Sequence, residues 1–325
     1  MGKSRAGSRG DERRVVFHAD DFGMNRLVTD GILQGFGQGL LTSTSLMANA
    51  PDAGRALERW KRLEQERREG GLPTSARRKR LDEPDRPFDL GIHLNLTQGR
   101  PLTGPQYPAE LLDPQGRFPD ILGLFGRLRH GGRRFANAIE QELARQIEFM
   151  LDHGQMPTHL NGHQYIEMLP VVVPVVRSLL ERFKIAAVRV ALETAWLPAV
   201  LWPGVSTTRW LVAGVQTFYA RRFRAQLAGL AVSYPDAYFG TMTAGQSDLR
   251  QFRAFLSTAR RFQVAEIAVH PACPPPVDWP AGRDHADGWR DPLVMLRPKE
   301  LELLQSDELA GHLERLGFRL GRIGP

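Results

Sequence analysis

The chain has 325 residues, of which 42% are hydrophobic and 24% are charged. These fractions are typical of globular proteins and exclude a largely disordered or low-complexity chain. The formal net charge is +7, but the basic residues are scattered and form no recognisable nucleic-acid-binding module, so we expect no nucleic-acid partner. The single cysteine, Cys273, excludes an internal disulfide and fits a reducing compartment, which predicts a cytoplasmic protein.

The domain organisation is predicted to be simple. Residues 1–14 are polar and basic, and we expect them to form a disordered tail without an apolar targeting segment. Residues 15–325 contain no convincing linker and are predicted to form one domain. The weakly charged, tryptophan-rich segment 194–220 is interpreted as a lid or packed segment. A membrane-surface or lipid-linked-substrate contact is the alternative.

Short apolar runs alternate with amphipathic stretches along the chain. Strands are predicted at residues 15–21, 42–48, 90–96, 158–164, 187–192 and 266–270, with a weaker one at 231–238. Helices are predicted at residues 26–38, 53–68, 136–153, 169–183, 210–227, 249–262 and 298–316. The repeated strand-then-helix order indicates a parallel α/β sheet, and at this length we expect a (β/α) barrel. Residues 69–87 and 99–134 are predicted to be long loops that cover it.

The first predicted strand ends in two adjacent carboxylates, Asp20 and Asp21, just before Gly23. On a regular strand they would point to opposite faces, but at the strand end both can face one mouth of the barrel. One could then bind a cation while the other acts as a base. The alternative is an N-cap for the helix that begins near Asn25.

Three further predicted strands carry histidines. In residues 90–96 the apolar side chains alternate with His93 and Asn95, so His93 faces inward as a ligand or, more often for a lone histidine, as a hydrogen-bonded core residue. His159 and His163 would lie roughly 13 Å apart on one strand and could not share an ion. His163 is nearer the mouth and is the expected ligand. The strand at 266–270 ends in His270.

Catalytic groups of α/β barrels gather at the carboxyl ends of the strands, where these residues are predicted to lie. One carboxylate with two imidazoles is a common open metal site, which would leave Asp20 and His270 as base and acid. Zinc or another transition metal suits such ligands better than magnesium. A non-haem iron oxygenase, a phosphoesterase and a non-catalytic carbohydrate- or lipid-binding barrel remain alternatives.

Several segments resemble the YdjC-like carbohydrate deacetylases, which include chitooligosaccharide and hopanoid-biosynthesis-associated deacetylases. They are residues 18–23, 41–49, 91–102, 157–164, 188–190 and 268–272. The resemblance implies a variant (β/α) barrel that hydrolyses the N-acetyl group of an amino sugar. It also implies a divalent metal on Asp21, His93 and His163, with Asp20 as general base and His270 as general acid.

The sequence departs from that family at Asn161, where an aspartate is often found, at Tyr165 in place of a histidine, and at Ala191 in place of a proline. These changes bear on the substrate more than on the reaction. Arg189 and Asn161 are predicted substrate-binding residues, although Arg189 could equally orient a carboxylate or form an ordinary strand-end ion pair. The sequence leaves open whether the sugar is free, lipid-linked or nucleotide-linked, and it does not reveal the oligomeric state.

Overall fold

The structure is a computed structural model that describes residues 12–72, 76–82, 88–129, 132–194, 207–241, 243–277, 279 and 289–323. Most of the predicted N-terminal tail therefore lies outside the described residues. The same holds for residues 195–206, in the first half of the predicted tryptophan-rich lid.

The centre of the molecule is an eight-stranded parallel sheet. The strands are β1 (Arg14–Phe22), β2 (Ser43–Leu46), β3 (Asp89–Leu94), β4 (His159–Gly162), β5 (Ala187–Val188), β6 (Ala237–Phe239), β7 (Val264–Val269) and β8 (Arg319–Leu320). Their order is β5-β4-β3-β2-β1-β7-β6, with β8 paired to β1. Isolated parallel bridges between Ala187 and Ser233 and between Glu193 and Tyr238 connect the β5 side to the β6 side, so the sheet curves into the predicted variant barrel.

Helices lie between the strands as predicted. They are α1 (Arg26–Gln38), α2 (Ala53–Arg68), α3 (Ala76–Leu81), α4 (Ile121–Arg129), α5 (Ala136–Asp152), α6 (Val172–Arg182), α7 (Thr207–Gln226), α8 (Leu249–Ala259), α9 (Arg297–Gln305) and α10 (Asp307–Leu316). The first two match their predicted bounds. No helix in the described part of the chain is both long and apolar enough to span a membrane.

Several predicted bounds were wrong for local reasons. The short helices α3 and α4 occupy parts of the segments predicted as loops. The predicted helix at 298–316 is two helices, because Ser306 is extended and its hydroxyl caps the second one by accepting from the Leu309 N–H. β5 leaves the sheet after two residues, where the Leu192 N–H closes a tight turn on the Val190 carbonyl. β6 is shorter than predicted, and β8 was not predicted.

The two faces of β1 explain where the functional groups lie. Val15, Phe17 and Ala19 belong to the main apolar core, and Phe17 packs edge-on against Phe252 of α8. Alternation then directs His18 and Asp20 into the barrel interior, where they meet polar groups from neighbouring strands. The barrel is thus apolar towards its helices and polar inside at its carboxyl end.

Candidate active site

The end of β1 directs both adjacent carboxylates into the barrel mouth. Asp21 has a φ of 68°, the left-handed conformation that a non-glycine residue rarely adopts, so the strand's alternation ends there. The Asp21 carbonyl accepts a hydrogen bond from the Met24 N–H at 2.9 Å, which fixes this turn. Both carboxylates are buried, with 6% of Asp20 and 3% of Asp21 exposed.

Asp21 meets the two histidines expected beside it. Its Oδ1 lies 3.4 Å from Nε2 of His93 and 3.1 Å from Nδ1 of His163. The three candidate ligand atoms lie within 4.8 Å of one another, and all three residues are buried. One carboxylate oxygen and two imidazole nitrogens form a donor set that suits a divalent transition metal. The three residues thus converge as predicted, and their donor atoms suit a cation.

His163 reaches this cluster from outside its strand. β4 ends at Gly162, and both Gln164 and Tyr165 have positive φ values, 54° and 61°, which turn the chain sharply. The extended strand expected over 158–164 is therefore shorter, and the spacing calculated along it does not apply to His163. His159 stays below the site, fully buried, with its Nδ1 3.3 Å from Asp89.

Both imidazoles of the cluster are also held on their far sides. Nδ1 of His93 donates to Oδ1 of Asn161 at 2.8 Å, an assignment that leaves Nε2 free to face Asp21. Nε2 of His163 lies 3.1 Å from the side-chain nitrogen of Gln98. Such outer contacts orient metal ligands, so the rings are pre-positioned for a cation.

Asp20 is surrounded by hydrogen-bond donors. It accepts from Arg189 Nη1 at 2.7 Å and from Asn161 Nδ2 at 3.0 Å, and Nε2 of His18 lies 3.2 Å away. Burial alone would raise the pKa of Asp20, but the charges of Arg189 and His93 outweigh it and hold that pKa well below its usual range. Asp20 is therefore an ionised carboxylate that can accept a proton.

The cluster carboxylate is equally well held in its charged form. Burial opposes ionisation of Asp21, but the Arg297 guanidinium and the close contacts with His163 and His93 lower its pKa well below the usual value. Burial also tends to lower the pKa of His93, whereas Asp20 and Asp21 raise it above its ordinary value. The mouth therefore concentrates negative charge where a cation would sit.

His270 follows β7 at the same rim, with its Nε2 3.9 Å from Oδ2 of Asp20. Its backbone N–H donates to Oε2 of Glu300 at 2.6 Å. One turn earlier in α9, Nη2 of Arg297 donates to Oδ2 of Asp21 at 2.8 Å. One helix therefore anchors both sides of the site. Sequence reasoning missed Arg297 and Glu300, because a charged residue in a helical pattern is usually solvent-exposed.

Arg189 and Asn161, the predicted substrate-binding residues, are both fully buried. Arg189 bridges Asp20 and Glu266, with 2.6 Å between its guanidinium and Oε1 of Glu266. Asn161 connects Asp20 to His93. These contacts favour positioning of the Asp20 carboxylate over contact with a substrate.

Replacing Arg189 by methionine should destabilise the fold by about 3–5 kcal/mol, because Glu266 and Asp20 would remain as buried, uncompensated carboxylates. Urea unfolding measures this change. Arg182→Met is the control, since Arg182 forms an exposed ion pair with Glu148 that should contribute less than about 1 kcal/mol. Equal effects of the two substitutions would contradict the structural role of the buried pair.

Glu167 is a buried carboxyl group that plays no part in the cluster. Neither of its oxygens accepts a hydrogen bond from another side chain or main-chain group in the described part of the protein. Burial raises its pKa to about 8 from an ordinary value of 4.5. The folded protein therefore keeps this proton at pH values where the unfolded chain has released it.

The stability contributed by neutral Glu167 should be lost as pH rises from about 4.5 to about 8, because the unfolded state binds fewer protons across that range. Glu167→Gln removes this titration. The variant should be more stable than the wild type at pH 8 by on the order of 4 kcal/mol, and the difference should nearly vanish at pH 4.5. Urea unfolding at both pH values tests this, and a pH-independent difference would contradict it.

Comparison with known proteins identifies the family. The model of the family described as YdjC-like protein matches residues 14–315. The chain belongs to the YdjC-like protein family. The resemblance drawn from the sequence motifs is thereby confirmed, and the match extends beyond residue 272 to α9 and α10.

Curated relatives in the YdjC-like family carry deacetylase names. A carbohydrate deacetylase of Geobacillus stearothermophilus is 36% identical over 173 residues, which cover 53% of this chain and 58% of the relative. A mouse carbohydrate deacetylase is 29% identical, covering 80% of this chain and 78% of the relative. A chitooligosaccharide deacetylase of Yersinia enterocolitica is 26% identical, covering 95% of this chain and 98% of the relative.

A solved structure supports the fold. It is the crystal structure of a candidate cellobiose-phosphate cleavage protein from Enterococcus faecalis, with a TM-score of 0.65 at 19% identity. The superposition covers 96% of this chain and 98% of the other. At this identity the likeness establishes the variant barrel architecture alone.

Proposed function

We propose that this YdjC-like protein is a metal-dependent hydrolase that removes the N-acetyl group of an amino sugar and releases acetate. The observation that carries the proposal is the convergence of Asp21, His93 and His163 within 4.8 Å, beside Asp20 and His270. The deacetylase names of the curated relatives support the same reaction.

Asp21, His93 and His163 would hold the cation, and zinc is the metal we propose from two imidazoles and one carboxylate. Such a cation polarises the amide carbonyl and lowers the pKa of water. Oδ2 of Asp21 is engaged by Arg297, which leaves Oδ1 to face the two histidines. This arrangement supports binding through one oxygen of Asp21.

Asp20 is the proposed general base. Its ionised carboxylate takes a proton from water as the water oxygen forms a bond to the acetyl carbon. His270 is the proposed general acid and gives a proton to the sugar nitrogen as the carbon–nitrogen bond breaks. The products are acetate and a free amine. Arg189, Asn161 and His18 hold Asp20 at its position during the reaction.

The finer assignments are also proposals. We propose one catalytic domain from residue 15 onwards, and a cytoplasmic location that rests on the single, partly buried Cys273. A lipid-linked sugar would imply contact with a membrane surface. Lipid-linked substrates are therefore included in the test of the function.

An acetate-release screen tests the function. Chelator-treated protein is reloaded with zinc, cobalt, nickel, manganese or magnesium and offered free, nucleotide-linked and lipid-linked N-acetylated amino sugars. We expect metal-dependent acetate release from at least one substrate, and loss of that release in His163→Ala. Three outcomes would overturn the proposal. Oxygen consumption with an oxo-acid would indicate an oxygenase, and phosphate release from a phosphoester would indicate a phosphoesterase. Sugar binding without turnover under every metal would indicate a non-catalytic binding protein.

A further inference from the structure

The turn that carries His163 into the cluster has an unusual backbone. Gln164 and Tyr165, which follow His163 directly, have φ values of 54° and 61° and ψ values of 28° and 32°. This is the left-handed region, which residues other than glycine visit rarely and then usually singly. Two such residues in succession are strained, and they keep this conformation only where surrounding contacts hold it. The contacts that hold the turn therefore also determine where His163 lies.

The side chain of Tyr165 provides such a contact. Its hydroxyl lies 3.1 Å from the Tyr238 hydroxyl and 3.0 Å from the Thr241 hydroxyl. A phenolic hydroxyl both donates and accepts, so it can bond to both neighbours at once. Tyr238 lies on β6 and Thr241 follows that strand, whereas Tyr165 follows β4. The hydroxyl thus connects two strands that are not neighbours in the sheet.

The connection crosses the barrel wall where the strand between β4 and β6 has ended. β5 has two residues (Ala187–Val188), which pair with the first two residues of β4. The β4–β5 ladder therefore ends before Asn161, and the chain that leads to His163 needs another support on this side of the mouth. Tyr165 supplies that support by reaching across to β6.

The groups that receive the Tyr165 hydroxyl are themselves held in place. Oε2 of Glu193, a residue that is 6% exposed, accepts from the Gly240 N–H at 3.2 Å and from the Thr241 N–H at 2.9 Å. Tyr238 is 1% exposed, and the guanidinium carbon of Arg189 lies 5.4 Å from the centre of its ring. The buried wall around β6 is therefore a fixed anchor for the turn.

The ring of Tyr165 also packs against the apolar core. Apolar packing is non-directional, whereas hydrogen bonds fix both the distance and the direction of the hydroxyl at the ring tip. A ring held by packing alone can shift as the strained turn relaxes towards the ordinary right-handed region. The hydroxyl is therefore the group that holds the turn in its left-handed form.

We infer that Tyr165 is a positioning residue for the cation site: its hydroxyl holds the left-handed turn that places the His163 imidazole beside Asp21. The inference rests on the metal site of the proposed deacetylase and deepens it. Tyr165 is not one of the three candidate ligands, so its effect on the cation is exerted through His163. The inference also gives a role to one of the positions at which the sequence departs from the family motif.

Zinc titration of full-length, chelator-stripped protein by calorimetry tests this role. Tyr165→Phe keeps the ring and removes the hydroxyl, and we expect it to weaken zinc binding by about tenfold, as for other groups that orient a ligand. Adding Gln164→Gly to Tyr165→Phe should raise the affinity again by at least about threefold, because glycine adopts the left-handed conformation without a steric cost. General destabilisation of the fold would not produce this recovery.

Tyr107→Phe is the matched control. Tyr107 is 3% exposed, and its hydroxyl has no hydrogen-bond partner in the described part of the protein, so the substitution removes a buried hydroxyl that anchors no turn. We expect this variant to bind zinc with the affinity of the wild type.

Hydrogen exchange of the metal-free protein gives a second readout, which does not depend on zinc. A peptide that covers residues 163–169 should exchange at least about fivefold faster in Tyr165→Phe, because local opening of the turn costs less without its anchor. The same peptide should exchange at the wild-type rate in Tyr107→Phe, and peptides from α1 should be unchanged in both variants.

Wild-type zinc affinity in Tyr165→Phe, or unchanged exchange of residues 163–169, would overturn the positioning role. An equally large loss of zinc affinity in Tyr107→Phe, or no recovery with Gln164→Gly, would overturn it as well. These results leave the deacetylase standing if the wild-type protein binds zinc and releases acetate. A wild-type protein that binds no zinc would instead remove the metal site, and the exchange of residues 163–169 would then decide alone whether the hydroxyl holds the turn.

Discussion

Replacing Asp20 by asparagine should lower kcat for acetate release by at least about a hundredfold, the usual contribution of a general base. The amide has nearly the shape of the carboxylate but cannot take a proton from water. Asp20 is not among the three candidate ligands, so metal affinity should stay close to that of the wild type. Steady-state kinetics and calorimetric metal titration of the same preparation measure both quantities.

Glu266→Gln is the matched control for Asp20→Asn. Each substitution neutralises one of the two buried carboxylates on Arg189, but Glu266 lies on β7 below the mouth. If the loss of kcat came only from disturbing Arg189, both variants would lose similar activity. We expect Glu266→Gln to lose much less than Asp20→Asn. Near wild-type kcat in Asp20→Asn would refute the base assignment.

The positions of the site residues were predictable where local pattern decides them. Alternation in residues 90–96 directs His93 inward, and the register that pairs His93 with Asn161 then brings the two strands' polar groups together. Asp20 and Asp21 were recognisable because two adjacent carboxylates directly after an apolar strand are unusual. The parallel topology then places all these strand ends at one rim.

Other features of the site depend on contacts that no local pattern encodes. Asp21 and Arg297 are 276 residues apart in the chain, and nothing near Arg297 reveals that its guanidinium is 1% exposed. His163 was assigned to an extended strand because the left-handed conformations of Gln164 and Tyr165 are unusual for these residue types. Arg189 could be expected beside a carboxylate, but its two partners lie on different strands.

The break between α9 and α10 was missed for a related reason. Ser306 lies in a continuous helical pattern, and serine inside such a pattern is common enough to be unremarked. Its capping role is defined by the hydrogen bond to Leu309. The helix that ends before Ser306, α9, carries Glu300, which accepts from the His270 backbone N–H. The helix that anchors the site, α9, is thus the element whose role is hardest to predict from the sequence.

Replacing Asp21 by asparagine should weaken zinc binding by at least about a hundredfold, because it removes the one anionic ligand of the proposed set. The same substitution removes the negatively charged partner of Arg297, so the uncompensated guanidinium charge would lie beside the position where the cation binds. Both effects act in the same direction. Calorimetric titration of chelator-stripped protein with zinc measures the affinity, and the increase in Tm on adding zinc provides an independent readout.

Asp291→Asn is the control that shows whether the loss of zinc affinity in Asp21→Asn comes from losing a metal ligand or from losing a charged partner of Arg297. Asp291 contacts Nε of Arg297 at 2.9 Å from the side away from the cluster and is not one of the three candidate ligands. Its replacement should weaken zinc binding by about tenfold, the lower end of the range for groups that orient a ligand. Zinc affinity in Asp21→Asn equal to that of the wild type would mean that the cation binds elsewhere. Equal losses in the two variants would assign the effect to Arg297 and not to coordination by Asp21.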